Sequence, residues 1–239
     1  PQLVDEPLIF VEVALTRTVP PTIAEVLDGG RRPIRAPEAT TAVFYSISNC
    51  QEGLRGISFG SFLIKQVVEE LGRELPNLKN FVTLSPVPGF ARWLAGECRD
   101  EASAVLSAAD REALAALDDD GWLDDPATAA AVEAALMPAA AWYFLVARTE
   151  AGRPIDPVAR FHLGNGAALE RLDFLGDRSP RAMAQAHGLM VNYRYELDRI
   201  EANHEAYASR REVVAAPAVR RLLRQPPAKA EPRRRRAPA

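Results

Sequence analysis

Between residues 41 and 85 the chain follows an order that strongly restricts its fold class. A β-branched and aromatic run at 41–48, centred on Val43, Phe44, Tyr45 and Ile47, leads into a loop holding Gly53, Arg55 and Gly56. The spacing then predicts a helix over 59–72, with Leu63, Ile64, Val67, Val68 and Leu71 on one face and Lys65, Glu69, Glu70 and Arg73 on the other. Pro76 stops that helix, and a second strand-like run at 80–85 ends abruptly at Pro86. Strand, glycine-containing loop, helix and strand make a βαβ unit, so an α/β fold is expected; the pattern leaves the strand directions open.

The remaining segments fill out a sheet and its covering helices. Residues 8–15 carry one charge, Glu12, in an otherwise apolar run and read as a buried opening strand, followed by a short helix at 22–27 that ends at Gly29 and Gly30. Residues 91–148 read as an inserted helical subdomain, with a capping box at Ser107 and Asp110 and an apolar stretch at 139–146 after Pro138. Its acidic runs, Asp118 to Asp120 and Asp124 with Asp125, read as solvated turns and caps. Asp156 and Pro157 form an N-cap and first helical position, and the helix they start ends at Gly164, which puts His162 in its last turn. A final strand at 189–195 turns Val191, Tyr193 and Tyr195 to one face and Asn192 and Arg194 to the other, before a polar helix reaching about residue 216.

Charge and composition narrow the function. With 239 residues, 48% hydrophobic and 26% charged, the chain has material for a core. Its net charge of −3 divides unevenly: residues 217–239 hold eight basic side chains and one acid, Glu231, whereas residues 1–216 are net −10. That argues against a nucleic-acid-binding body and makes 217–239 a disordered, solvated basic tail. No run approaches the roughly 20 apolar residues of a membrane span, and residues 1–6 lack a signal-peptide pattern, so a cytoplasmic protein without membrane association is expected. Cys50 and Cys98 cannot make a disulfide framework, and His162, His187 and His204 show no zinc-ligand spacing, so no metal site is expected. An Arg- and Ala-rich composition with only three Lys suggests a bacterial source, and the absent initiator Met suggests the C-terminal part of something longer.

Chemistry concentrates in a few places. Arg55, Gly56, Ile57, Ser58, Phe59, Gly60 and Ser61, between a strand and a helix start, read either as an anion cradle or as a tight turn before a core helix. Neither the P-loop nor the dinucleotide pattern fits, because the glycine spacing is wrong and no Gly-Lys-Ser/Thr is present. By themselves Ser85 reads as a turn residue, His162 as a helix-end histidine, and Ser46 and Tyr195 as strand positions.

The loop is similar to the pyrophosphate loop of GNAT acyltransferases, Arg/Gln-x-x-Gly-x-Gly/Ala, with Ser58 at the first glycine position. The stretches 44–48, 84–90, 157–167 and 188–195, in that order, resemble the malonyl-CoA decarboxylase family from about Leu3 to Tyr195. The resemblance implies a GNAT-like mixed central sheet flanked by helices over 1–216, with a helical insertion at about 91–148 and an upstream helical domain that this chain lacks. It further implies that malonyl-CoA is converted to acetyl-CoA and CO2 without a cofactor, coenzyme A being part of the substrate. Ser85 and His162 match the catalytic serine and the proton-donating histidine, and Ser46 and Tyr195 match further active-site hydroxyls. Residues 55–61 match the coenzyme A loop, and homo-oligomers are expected when the upstream domain is present.

This chemistry needs donors for a developing enolate and an acid for its carbon, which hydroxyls and a histidine supply. A histidine at a helix C-terminus is expected to lean towards its imidazolium form. Two other functions fit parts of the pattern. An acetyl-CoA-dependent N-acetyltransferase would share the loop but leave the Ser85 and His162 stretches unexplained. A non-enzymatic CoA-binding scaffold would act through the basic tail.

Overall fold

The computed structural model describes residues 9–30, 32–49 and 60–224, which form a mixed sheet flanked by helices. The expected βαβ unit is present. Strand β2 (Thr41–Asn49) is followed by α2 (Gly60–Glu74) and then by β3 (Asn80–Thr83), which lies parallel to β2 from Thr41 opposite Asn80 to Phe44 opposite Thr83. On the outer side β1 (Ile9–Thr16) runs antiparallel to β2. On the inner side β6 (Met190–Arg194) runs antiparallel to β3, to the short β4 (Ser85–Pro86) and to β5 (Ala168–Asp173).

Period-two alternation buries both faces of this sheet. Ala42, Phe44 and Phe81 point into the main core with Val68, Val191, Tyr193 and Tyr195, whereas Val43, Val82, Leu84 and Met190 join a smaller cluster with Ala14 and Val26. Val26 comes from α1 (Ile23–Leu27), whose N-cap is Thr22. The helices expected as an insertion are α3 (Phe90–Arg99), α4 (Ala108–Leu114) and α5 (Pro126–Leu145). Phe90, Leu94, Leu136 and Phe144 of these helices share the main core with Phe44 and Tyr193. The capping box at Ser107 and Asp110 forms, and Asp125 caps α5.

Several expectations need correction. The strand expected over 80–85 breaks at Leu84, whose N–H stays with Phe44 O at 2.9 Å while Ser85 and Pro86 turn to pair with β6. Strand β5, Ala-Leu-Glu-Arg-Leu-Asp, carries no β-branched residue and gives no local strand signal; pairing with β6 makes it a strand. The last polar helix, α8 (Ile200–Arg210), stops at Arg211 rather than near 216. Beyond it Val214 O accepts from Leu169 N, and Leu169 O accepts from Ala216 N, each at 2.8 Å, which covers the outer edge of β5. Between β5 and β6 lies α7 (Pro180–Ala186).

The basic segment does not begin as a disordered tail at 217. Pro217–Leu222 form α9, with Val219 buried, and only residues beyond 224 lie outside the described region. The apolar stretch after Pro138 is the second half of α5, which runs through that proline for 20 residues in all. This helix is also long and apolar enough to cross a membrane, contrary to the reading that no segment approaches this; in the fold it packs in the core, with Val132, Leu136, Ala140 and Phe144 buried. Alanine supplies much of that hydropathy.

A proline inside a helix lacks the N–H that would reach the carbonyl four residues back, here Ala134 O. Arg224 substitutes for it: Nη2 donates to Ala134 O while Nη1 reaches Asp110 Oδ1 at 2.7 Å. Arg224→Met is therefore expected to cost about 1 kcal/mol, at the low end for a half-exposed charged donor. Pro138→Ala restores the helical N–H, so urea unfolding of the four variants should show a smaller Arg224→Met cost in that background. Equal costs in both backgrounds would rule the compensation out.

Candidate functional site

The histidine helix, α6 (Pro157–Gly164), is held at both ends. At its start Asp156 Oδ1 accepts from Ala159 N at 2.7 Å, with Pro157 at the first position. Asp156 is fully buried, and burial raises its carboxyl pKa against the lowering effect of the backbone donors. At its end Gly166 turns the chain at φ +79°, and a Cβ there would lie 2.2 Å from Ile200 O. From α8, Asn203 Nδ2 donates to Gly166 O at 3.1 Å, and His204 Nδ1 lies 2.6 Å from Gly164 O. The last turn, with His162, is thereby pressed against the sheet.

His162 is only 3% exposed. Its Nε2 lies 3.3 Å from Ser85 Oγ, at the start of β4, and its Nδ1 lies 2.8 Å from the Tyr195 hydroxyl, just past β6. The Tyr193 ring stacks on the imidazole, with centroids 4.5 Å apart and planes 23° from parallel. The Ser85 and Thr83 hydroxyl oxygens are 2.9 Å apart, and Thr83 Oγ1 accepts from Tyr193 N at 3.1 Å. Three hydroxyls and one imidazole thus form a continuous buried chain, Thr83, Ser85, His162, Tyr195.

The expectation of a helix-end imidazolium is overturned. Burial pushes the His162 pKa down to about 3, because no negative group among the described residues compensates the lost hydration. A helix terminus is worth only about 0.3–1 kcal/mol, too little to offset full desolvation. Burial likewise raises the Tyr195 pKa, so this hydroxyl stays protonated.

This chain borders a cavity of about 380 Å³. Its walls come from Phe44 to Ile47 of β2, Leu84 to Pro86, and Pro157, Val158, Phe161 and His162 of α6. It opens where β2 and β3 part beyond Phe44 and Thr83, at the carboxyl ends of parallel strands, a common position for ligand sites in α/β folds. A register shift opposite Glu12 and Val13 leaves Tyr45 as an extra residue between Phe44 and Ser46, so β2 bulges there. No carboxylate is among the described lining residues.

Of the candidate residues, Ser46, Ser85 and His162 meet in this cavity, and Tyr195 touches it through His162 from behind. Ser46 makes no side-chain hydrogen bond among the described residues, and it lines the cavity. In the candidate loop, Arg55, Gly56, Ile57, Ser58 and Phe59 lie outside the described residues, while Gly60 and Ser61 begin α2. Thr83 and Tyr193 were not singled out in the sequence. Their signal was present, since each lies two residues before a candidate, Ser85 or Tyr195, and on a strand shares its face.

Residues 1–233 match the malonyl-CoA decarboxylase C-terminal domain family. The mitochondrial malonyl-CoA decarboxylases of Anser anser anser and Rattus norvegicus are 35% and 33% identical to this chain, over 92% of it in each case and 47% and 49% of the relatives. Crystal structures of malonyl-CoA decarboxylases from Rhodopseudomonas palustris and Agrobacterium vitis are 63% and 65% identical, with TM-scores of 0.89 and 0.87. These alignments cover 93% and 92% of this chain and 51% and 54% of those structures. The chain spans about half the length of the curated relatives it matches.

Because the folded pKa of His162 lies below the ordinary imidazole value of 6.5, its neutral burial contributes stability above that value and loses it as pH falls from 6.5 towards 3. Unfolding in that window takes up one proton at this site. His162→Gln is expected to flatten the fall of stability between pH 6 and 4.5 by about one proton per molecule, read from urea midpoints. An unchanged slope would mean that His162 is protonated in the folded state.

Proposed function

The chain belongs to the malonyl-CoA decarboxylase family through that family's C-terminal domain, and on that premise we propose that its cavity converts malonyl-CoA to acetyl-CoA and CO2 through a thioester enolate. The observation that most supports this reading is the hydrogen-bonded set Ser85, His162 and Tyr195 at a cavity whose described walls bear no carboxylate. An anionic malonyl group meets no like charge there, and it meets neutral donors.

In the reaction the bond between the carboxylate and the α-carbon breaks, CO2 leaves, and its electron pair passes into the thioester carbonyl as an enolate. The thioester itself is the electron sink, so no cofactor is called for. Holding the breaking bond perpendicular to the thioester plane is a positioning task, given to the walls of the cavity and to Ser46 and Ser85. A hydroxyl donor aimed at the enolate oxygen is typically worth about 2.7–4 kcal/mol in such a site. Neutral donors suit this role better than a salt bridge, which would stabilise the ground-state carboxylate as much as the transition state. The loop at 55–61, with its phosphate-binding pattern, is assigned the coenzyme A pyrophosphate.

The enolate carbon must then receive a proton, and we assign its delivery to His162. The imidazole is neutral in the empty cavity, but a carboxylate placed beside it supplies the missing counter-charge and favours the imidazolium. Substrate binding and proton uptake are thereby coupled. Tyr195 holds Nδ1 from behind in either state.

Incubation with malonyl-CoA and no added cofactor is expected to yield CO2 and acetyl-CoA in equal amounts. Folded Ser85→Ala should lose about 10²–10³-fold in kcat, and folded His162→Ala about 10²–10⁴-fold. Wild-type turnover in both variants would sink the site assignment, whereas a folded, CoA-binding wild type that releases no CO2 would sink the reaction.

A malonyl-CoA analogue with CH2 in place of the thioester carbonyl cannot lose CO2 and isolates the binding step. Calorimetry at pH 7.5 in buffers of different ionisation enthalpy should show proton uptake that disappears in His162→Gln. Binding without uptake in the wild type would mean that the carbon receives its proton from another group.

A further inference from the structure

One rung of the sheet is missing where Ser85 leaves it. Strand β6 pairs with β3 at Val82 opposite Arg194 and with β4 at Ser85 opposite Val191, in one continuous register. That register places Thr83 opposite Tyr193 and Leu84 opposite Asn192, yet neither pair is joined in the ladder. Antiparallel ladders exchange backbone bonds at every second pair. Tyr195 N donates to Phe81 O at 2.8 Å, so the next bond due is from Tyr193 N to Thr83 O. Two side chains take its place. Tyr193 N donates to Thr83 Oγ1 at 3.1 Å, from the cavity face, and Thr83 O accepts from Asn192 Nδ2 at 2.7 Å, from the opposite face.

Asn192 is fully buried, and its Oδ1 has no hydrogen-bond partner among the described residues. By alternation it shares a face with Met190 of the smaller apolar cluster, where a leucine would pack without an orphaned acceptor. Packing therefore gives no reason for an amide at this position; the Thr83 carbonyl does. We propose that Asn192 is a positioning residue: by holding Thr83 O it keeps this rung open, and the open rung sets Ser85 Oγ within reach of His162 Nε2. With Thr83 O occupied, the Tyr193 N–H is left to Thr83 Oγ1, which also lies 2.9 Å from Ser85 Oγ. Were the rung closed, Thr83 O would move onto Tyr193 N and Thr83 Oγ1 would lose its donor. The backbone leading to Ser85 would then shift towards β6 and take Ser85 Oγ from its place 3.3 Å from His162 Nε2. Asn192 does not line the cavity and acts through Thr83 and Ser85. Its effect on turnover rests on the decarboxylation proposed above; the hydrogen bonds of the rung do not.

Couplings across hydrogen bonds, read by NMR of the full chain, test the rung in the wild type. The Asn192 side-chain nitrogen should couple to the Thr83 carbonyl, and the Tyr193 nitrogen should not; a Tyr193 coupling to that carbonyl would overturn the inference. Asn192→Leu keeps the size and removes the amide, so it should close the rung: the Tyr193 coupling appears, and a crystal structure shows Ser85 Oγ beyond hydrogen-bond distance of His162 Nε2. A Ser85 still bonded to His162 in that variant would overturn the inference. In the CO2 assay Asn192→Leu is expected to lose about 10²-fold in kcat, the scale for a small displacement of a reacting group, with KM nearly unchanged. In a Ser85→Ala background the same substitution should cost almost nothing further, because both remove one interaction. An equal loss in both backgrounds, or a variant that loses stability in urea but keeps its kcat, would show that Asn192 supports the fold alone. Asn192→Ala removes the same donor and serves in its place if the leucine variant does not fold. A wild type without CO2 release would fail the decarboxylation while leaving the rung to the couplings and the crystal structure.

Discussion

An imidazole that is 3% exposed must find a partner for each nitrogen, and leaving either unsatisfied costs about 1–3 kcal/mol. For His162 the partners come from either side of it in the sequence: Ser85 at the break after β3 and Tyr195 past β6, more than a hundred residues apart. Meeting both fixes how α6 lies across the sheet. The buried Asp156 cap sets where that helix starts, and the turn at Gly166, packed against Ile200, sets where it stops. Residues far from the cavity, such as Asn203 on α8, therefore bear on the geometry of a histidine they do not touch.

The cavity exists because two parallel strands stop pairing. Up to Phe44 and Thr83 the β2–β3 ladder is regular, and Leu84 N still reaches Phe44 O. Beyond that point the bulge at Tyr45 bends one strand while Ser85 and Pro86 commit the other to β6. The resulting gap is walled by backbone that has left the ladder, and it places Ser46 and Ser85 on its two banks. The same break that makes the third strand a poor strand supplies the site with its serine.

What the sequence revealed and what it concealed divide along the range of the interactions. Asp156, Pro157 and Gly164 announce a helix because capping and proline geometry act within a turn, and Ser107 with Asp110 does the same for α4. The βαβ unit was legible from apolar spacing alone. Strand β5 was not, since Glu170 and Arg171 interrupt it and only its partners make it a strand. Nor was α9, where one buried side chain, Val219, and the demand of Ala134 O for a donor order part of a run that looks like a solvated tail. At the site, Ser46, Ser85, His162 and Tyr195 were legible only through family resemblance, because each has an ordinary local reading. The charge of His162 was misjudged for a related reason: the helix end is a local feature, whereas the burial that overrides it is assembled from three distant segments.

That burial also bears on how the proposed reaction would be timed. An imidazole kept neutral by desolvation gains its proton only when an anion enters beside it, so acid and carboxylate arrive together. Loss of CO2 removes the anion, and protonation of the enolate carbon removes the proton in the same turnover. The product is an uncharged acetyl thioester, which offers no counter-charge for reprotonating His162, and the cavity returns to its neutral state. A permanently charged histidine would bind malonyl groups more tightly but would stabilise the carboxylate that has to be lost. The low proton affinity of the empty site is, on this account, what allows a buried histidine to act as an acid for one substrate and remain inert towards its product.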